Sequence, residues 1–234
     1  MNTEFSSAIA RQLAHVRTTL PAGVTLVAVS KTHPVEALRA AYDAGQRIFG
    51  ESRPQELTAK RQQLPDDIEW HMIGHLQTNK IKLIVPFVSL IHSVDSPRLA
   101  EAIEREAAKC GRRVDLLLEI HVAAEESKTG WDFAELEAYV ASGAFAGLPH
   151  LRVRGVMGIA TNTDDETRIR ADFERLRQCF DRLKPHFGEA FDTLSMGMSD
   201  DYPLAVSCGS TMVRVGSLIF GARDYAPKTA SARP

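Results

Sequence analysis

Leu151-Arg152-Val153-Arg154-Gly155-Val156-Met157 is followed by Ile169, Phe173, Leu176, Phe180 and Leu183, and then by Asp192-Thr193-Leu194-Ser195-Met196. The first and last runs are short, apolar or β-branched and bounded by breakers, which marks them as strands. The residues between them step by four, three, four and three, so they share one face of a helix. Strand, helix and strand in that order give a unit whose two strands run parallel.

The unit repeats outward in both directions. Strand-like runs occupy 24–29, 47–49, 69–73, 89–94 and 114–122 on one side and 212–218 on the other. Leu99, Ile103, Ala107 and Cys110 form a second helical stripe after Asp95-Ser96-Pro97, with proline in the first turn. Asp132 and Glu135 suggest a capping box, and Gly45 and Gly209 suit helix ends. Eight such strands with helices between them predict a single (β/α)8 TIM barrel. No helix is expected after the last strand. An amphipathic segment carrying Ile9, Leu13, Val16 and Leu20 precedes the first strand and is expected to fill that gap as an additional N-terminal helix. An open doubly wound sheet would alternate in the same way, but no GxGxxG follows the first strand. One domain is expected over residues 1–225, with 226–234 a small-residue and proline tail expected to be disordered.

Composition narrows the function. Twenty-eight basic against 30 acidic residues leave a net charge of −2, so nothing favours a nucleic-acid partner. Cys110, Cys179 and Cys208 are far apart and form no CxxC pair, which predicts a reducing, cytoplasmic setting. The apolar stretch at 84–91 is broken by Pro86 and Ser89 and is too short for a membrane span. The eight histidines include no HExxH, so no metal site is expected, and neither GxxxxGK[ST] nor GxSxG occurs.

In a parallel barrel, chemistry belongs at the C-terminal ends of the strands. Lys31 follows Val27-Ala28-Val29-Ser30 there. It is either an exposed loop lysine or an amine made nucleophilic in the barrel mouth. Ser199 lies between the seventh strand and a helix opened by Pro203. There it, or Asp200, caps the helix, or it receives a phosphate. Arg214 is flanked by valines in the eighth strand and needs a partner, either Glu119 or Asp115 or a ligand nitrogen or anion. Gly216 and Ser217 follow where backbone can approach a phosphate. Glu119 reads as a structural partner, His71 and His75 as generic surface or core residues, and Arg61, Lys80, Lys82, Arg112 and Arg113 as solvated charges.

Val27-Ala28-Val29-Ser30-Lys31-Thr32, Phe49-Gly50-Glu51, the run from Trp70 to Lys80, Ser195 to Asp200 and Gly209 to Gly216 together resemble the pyridoxal phosphate homeostasis protein family. That family is similar to the N-terminal barrel of bacterial alanine racemase. The resemblance implies pyridoxal 5′-phosphate (PLP) bound as a Schiff base on Lys31. It also implies Arg214 at the pyridine nitrogen, Ser199, Gly216 and Ser217 at the phosphate, and Met198 in the same pocket. One position departs: Ser52 stands where the family carries asparagine. An arginine at the ring nitrogen weakens the electron sink. With no second domain expected to supply an opposing base, a PLP carrier without robust turnover is the reading, with PLP-dependent apo-enzymes as the expected recipients and a monomer as the expected state. A racemase-like PLP enzyme and a class I aldolase are the alternatives.

Overall fold

The computed structural model describes residues 3–125 and 127–222. Eight strands close into one barrel in sequence order, each parallel to the next. They are β1 (Thr25–Val29), β2 (Ile48–Glu51), β3 (Glu69–Met72), β4 (Leu90–Val94), β5 (Val114–Ile120), β6 (Leu151–Gly158), β7 (Thr193–Ser195) and β8 (Met212–Val215). Closure is made by β1 on β8, with Thr25 opposite Met212 and Val27 opposite Arg214. The helices are α1 (Thr3–Thr19), α2 (Val35–Asp43), α3 (Pro54–Arg61), α4 (Pro97–Lys109), α5 (Phe133–Ala141), α6 (Glu166–Phe187), α7 (Tyr202–Ser207) and α8 (Ser217–Phe220).

Local chemistry starts and stops these elements as expected. The Ser96 hydroxyl accepts from the Leu99 N–H at the head of α4, and the Asp132 carboxylate accepts from Ala134 and Glu135 at the head of α5. Gly45 and Gly209 follow α2 and α7 with φ of 89° and 92°.

The strands bury both faces. Outward side chains pack with the helices in the main core, where Phe173, Leu176, Phe180 and Leu183 of α6 are all buried. Inward, Val27, Leu90, Leu117, Met157 and Met212 form a separate apolar plug. The alternation reverses at Gly155, where β6 slips one residue against β5. A Cβ there would stand 1.7 Å from the Thr193 carbonyl oxygen, so only glycine fits.

Three expectations need correction. The eighth strand stops at Val215 rather than running to 218, because the apolar residues from Ser217 to Phe220 form the short helix α8. A helix therefore does follow the last strand, and α1 packs against both α2 and α8 to complete the outer ring. Between β3 and β4 the connection is the 3-10 helix Thr78–Leu83 rather than an α-helix. The segment 226–234 lies outside the described residues. No helix among the described residues is long and apolar enough to cross a membrane.

Candidate functional site

Lys31, Met198, Ser199, Arg214, Gly216 and Ser217 all line one cavity of about 170 Å³ at the C-terminal mouth of the barrel. They arrive from the loop after β1, the loop after β7, and the junction of β8 with α8. Ser52 and Asp200 line the same cavity. Met198 stands at the rim, 40% exposed.

The loop after β7 is held by its own backbone. Gly197 has φ of 96°, and a Cβ on it would come within 2.6 Å of the Ala205 Cβ on α7. The Arg214 N–H donates to the Gly197 carbonyl at 2.9 Å, and the Gly216 N–H donates to the Ser199 hydroxyl at 3.2 Å. Neither Ser199 nor Asp200 caps α7, contrary to one sequence reading. Asp201 occupies the cap position, and its carboxylate turns back to accept from the Met198 N–H at 2.6 Å. The Ser199 hydroxyl is thereby directed across to β8.

Arg214 is 4% exposed and makes no ion pair among the described residues. Asp115, one partner expected for it, is taken by Arg152 and Arg154. Glu119, the other, accepts from Thr129 at 3.1 Å, and its second oxygen is buried without a partner. Burial pushes the Glu119 carboxyl up. Arg214 donates from Nη1 to the Ser195 carbonyl at 2.9 Å and the Ser195 hydroxyl at 2.7 Å, and from Nη2 to the Gly158 carbonyl at 3.0 Å. Burial lowers its pKa to about 10, against the opposing charges of Asp201 and Glu119. It remains a cation at neutral pH, with further N–H groups on a side chain that lines the cavity.

Below Arg214 runs a polar chain that sequence reasoning missed. The Ser195 hydroxyl lies 3.2 Å from His92 Nδ1, and His92 Nε2 lies 3.0 Å from His71 Nδ1. Both rings are buried, and burial lowers the pKa of His71 to about 3 and that of His92 well below the usual range. Both are therefore neutral. A guanidinium can only donate, so the Ser195 oxygen accepts from it and its proton goes to His92 Nδ1. His92 then carries its proton on Nε2 and donates to His71, whose proton sits on its own Nε2. The permanent charge of Arg214 thus fixes two tautomers. The available signal was the alternation of β3 and β4, which turns His71 inward with Ile73 and places His92 among the interior positions. Arg112, read as solvated, instead donates to the Val85 and Val88 carbonyls.

The cavity gathers an amine, a guanidinium, a serine hydroxyl and the free N–H groups that open α8. These donors match a small ligand that carries a phosphate, an acceptor nitrogen and an electrophilic carbonyl.

Fold and cavity together define a barrel of the alanine racemase N-terminal type, and the family described as "Alanine racemase, N-terminal domain" matches residues 6–224. The pyridoxal phosphate homeostasis protein of Escherichia coli (strain K12) is 40% identical over 237 residues, covering 94% of this chain and 99% of that protein. PipY of Synechococcus elongatus, solved with PLP bound, is 42% identical with a TM-score of 0.83, covering 91% of this chain and all of that one. The alanine racemase of Streptomyces coelicolor A3(2) is 20% identical with a TM-score of 0.76, covering 93% of this chain and 58% of that one, a likeness of fold. The chain belongs to the pyridoxal phosphate homeostasis protein family.

Proposed function

We propose that this protein binds PLP as a Schiff base on Lys31 and serves as a carrier of the cofactor rather than an enzyme that uses it. In this reading Arg214 donates to the pyridine nitrogen. Ser199, Gly216 and Ser217 hold the phosphate, and Met198 lines the rim. The observation that carries the reading is the convergence of these six residues, from three separate stretches of chain, on one cavity. Lys31 would supply the amine that bonds the aldehyde carbon of PLP, with the carbonyl oxygen lost as water. No oxidant or reductant is needed, and hydrolysis returns the aldehyde. PLP supplies an electrophilic aldehyde and a ring able to take up electrons.

The carrier half of the reading is supported by relatives named pyridoxal phosphate homeostasis proteins, and Arg214 narrows the chemistry without forbidding racemisation. A guanidinium, charged at neutral pH even with its pKa lowered to about 10, supplies a proton to the hydrogen bond but does not give one up. A pyridine nitrogen held by Arg214 would stay unprotonated, and carbanion chemistry on the ring would be weakened. The neutral histidines behind Arg214 carry no charge that would change this. A cytoplasmic monomer with residues 1–225 as one unit, passing PLP to apo-enzymes, completes the proposal.

The test is to titrate the protein with PLP while following visible absorbance, then to assay the loaded protein with a panel of amino acids. The proposal expects a stable yellow complex and no racemisation or transamination at ordinary enzyme rates. Turnover of any amino acid at about 1 s⁻¹ or faster would make it an enzyme.

A further inference from the structure

The turn that carries Lys31 contains the single non-glycine residue with positive φ among the described residues, Thr32 at 69°. A β-branched side chain is an outlier in this region, so the surroundings must hold it there. Three charged side chains do so. Thr32 donates its N–H to Glu56 Oε1 at 2.6 Å. Lys60 Nζ donates to the Ser30 carbonyl at 2.8 Å, and the Ser30 hydroxyl donates to Glu51 Oε1 at 2.6 Å. Lys60 itself bridges Glu51 and Glu56, at 2.7 Å to each.

This triad is costly as a stabilising device. The side chains of Lys60 and Glu51 are 7% and 0% exposed, and the second oxygen of Glu51 is buried without a partner. Buried ion pairs of this kind rarely stabilise more than apolar packing of the same volume would. Their placement gives another reason for them: the triad reaches Ser30 twice and Thr32 once, the two neighbours of Lys31. It joins β2 and α3 to the end of β1, on the side of β1 away from β8.

We propose that Glu51, Glu56 and Lys60 are positioning residues that clamp the Ser30–Thr32 turn in its strained form and so present the Lys31 amine to the cofactor aldehyde. The proposal rests on Lys31 being the attachment point. Because the clamp acts on the lysine turn alone, it governs the part of binding that depends on the aldehyde. Ring and phosphate contacts are left to Arg214, Ser199 and Ser217.

The experiment compares PLP with pyridoxine 5′-phosphate, which has an alcohol in place of the aldehyde, on the full chain. Glu56→Ala removes the acceptor for Thr32 and leaves the Lys60–Glu51 pair in place. Its PLP affinity is expected to fall roughly tenfold, the worth of one hydrogen bond to a charged group, while pyridoxine 5′-phosphate affinity moves less than about twofold. Adding Thr32→Gly is expected to recover PLP binding to within about threefold of wild type, because glycine takes this φ without strain. Equal losses for the two ligands, no loss for either, or no recovery by Thr32→Gly would overturn the clamp. A wild-type protein that binds both ligands equally and leaves Lys31 unmodified by borohydride would instead remove the attachment on which the clamp rests.

Discussion

Arg214 and the two histidines beneath it show how one buried charge orders its neighbours. Because Arg214 only donates, protons run from it through Ser195 and His92 to His71. Long-range nitrogen NMR on labelled protein should therefore find both rings neutral with the proton on Nε2. In Ser195→Ala the tautomer of His92 should no longer be fixed. The same burial makes stability depend on pH. A histidine held at about 3 when folded and at about 6.5 when unfolded takes up its proton on unfolding across that window. The stability from a neutral His71 is complete above pH 6.5 and is lost as pH falls, by about 1.4 kcal/mol per unit. Glu51 and Glu119, raised by burial, work in the opposite sense: their stabilisation fades as pH rises above the usual carboxylate range. Urea unfolding of wild type and His71→Gln between pH 7 and 5 isolates the histidine, and the wild-type curve should be the steeper. Lys31 and Arg214 were legible in the sequence because a charge at the end of an apolar strand stands out. Ser195, His92 and the Lys60 triad were not, since ordinary polar residues acquire meaning only when distant strands bring them together.

Elements are fixed largely by where backbone can approach backbone. Gly155 lets β6 slip against β5 and so turns Met157 and Ile159 into the barrel. Gly155→Ala is expected to lower Tm by about 6–12 °C, the effect of roughly 3 kcal/mol in a chain of this size, as read by calorimetry. Gly197 carries the loop beneath Met198 and Ser199. Gly197→Ala should weaken binding of a phosphorylated ligand by at least about tenfold, because the strained φ and the clash with α7 displace the loop. Calorimetric titration of PLP against the variant would check this. Strand and helix order was readable from periodicity. The end of β8 was not, because Leu218, Ile219 and Phe220 continue an apolar run while the chain has already turned into α8. Apolar composition alone does not separate a strand from one buried helical turn.

The whole molecule places an apolar plug and a polar chain side by side in one barrel. Leu117 and Met157 fill one part of the interior, and the line from His71 to Arg214 crosses another. The line joins a cavity at the N-terminal mouth, lined by His71, to the one at the C-terminal mouth, lined by Arg214. Barrel closure was inferable from eight strands in sequence order, whereas the content of the interior depended on register, which the sequence does not state. Everything proposed about function converges on one covalent bond. The measurement that tests it is reduction of the PLP-treated protein with borohydride, followed by peptide mass spectrometry on wild type and Lys31→Ala. The account predicts a phosphopyridoxyl group on Lys31 in the wild type and no label in the barrel mouth of the variant. A label on another lysine, or none at all, would contradict it.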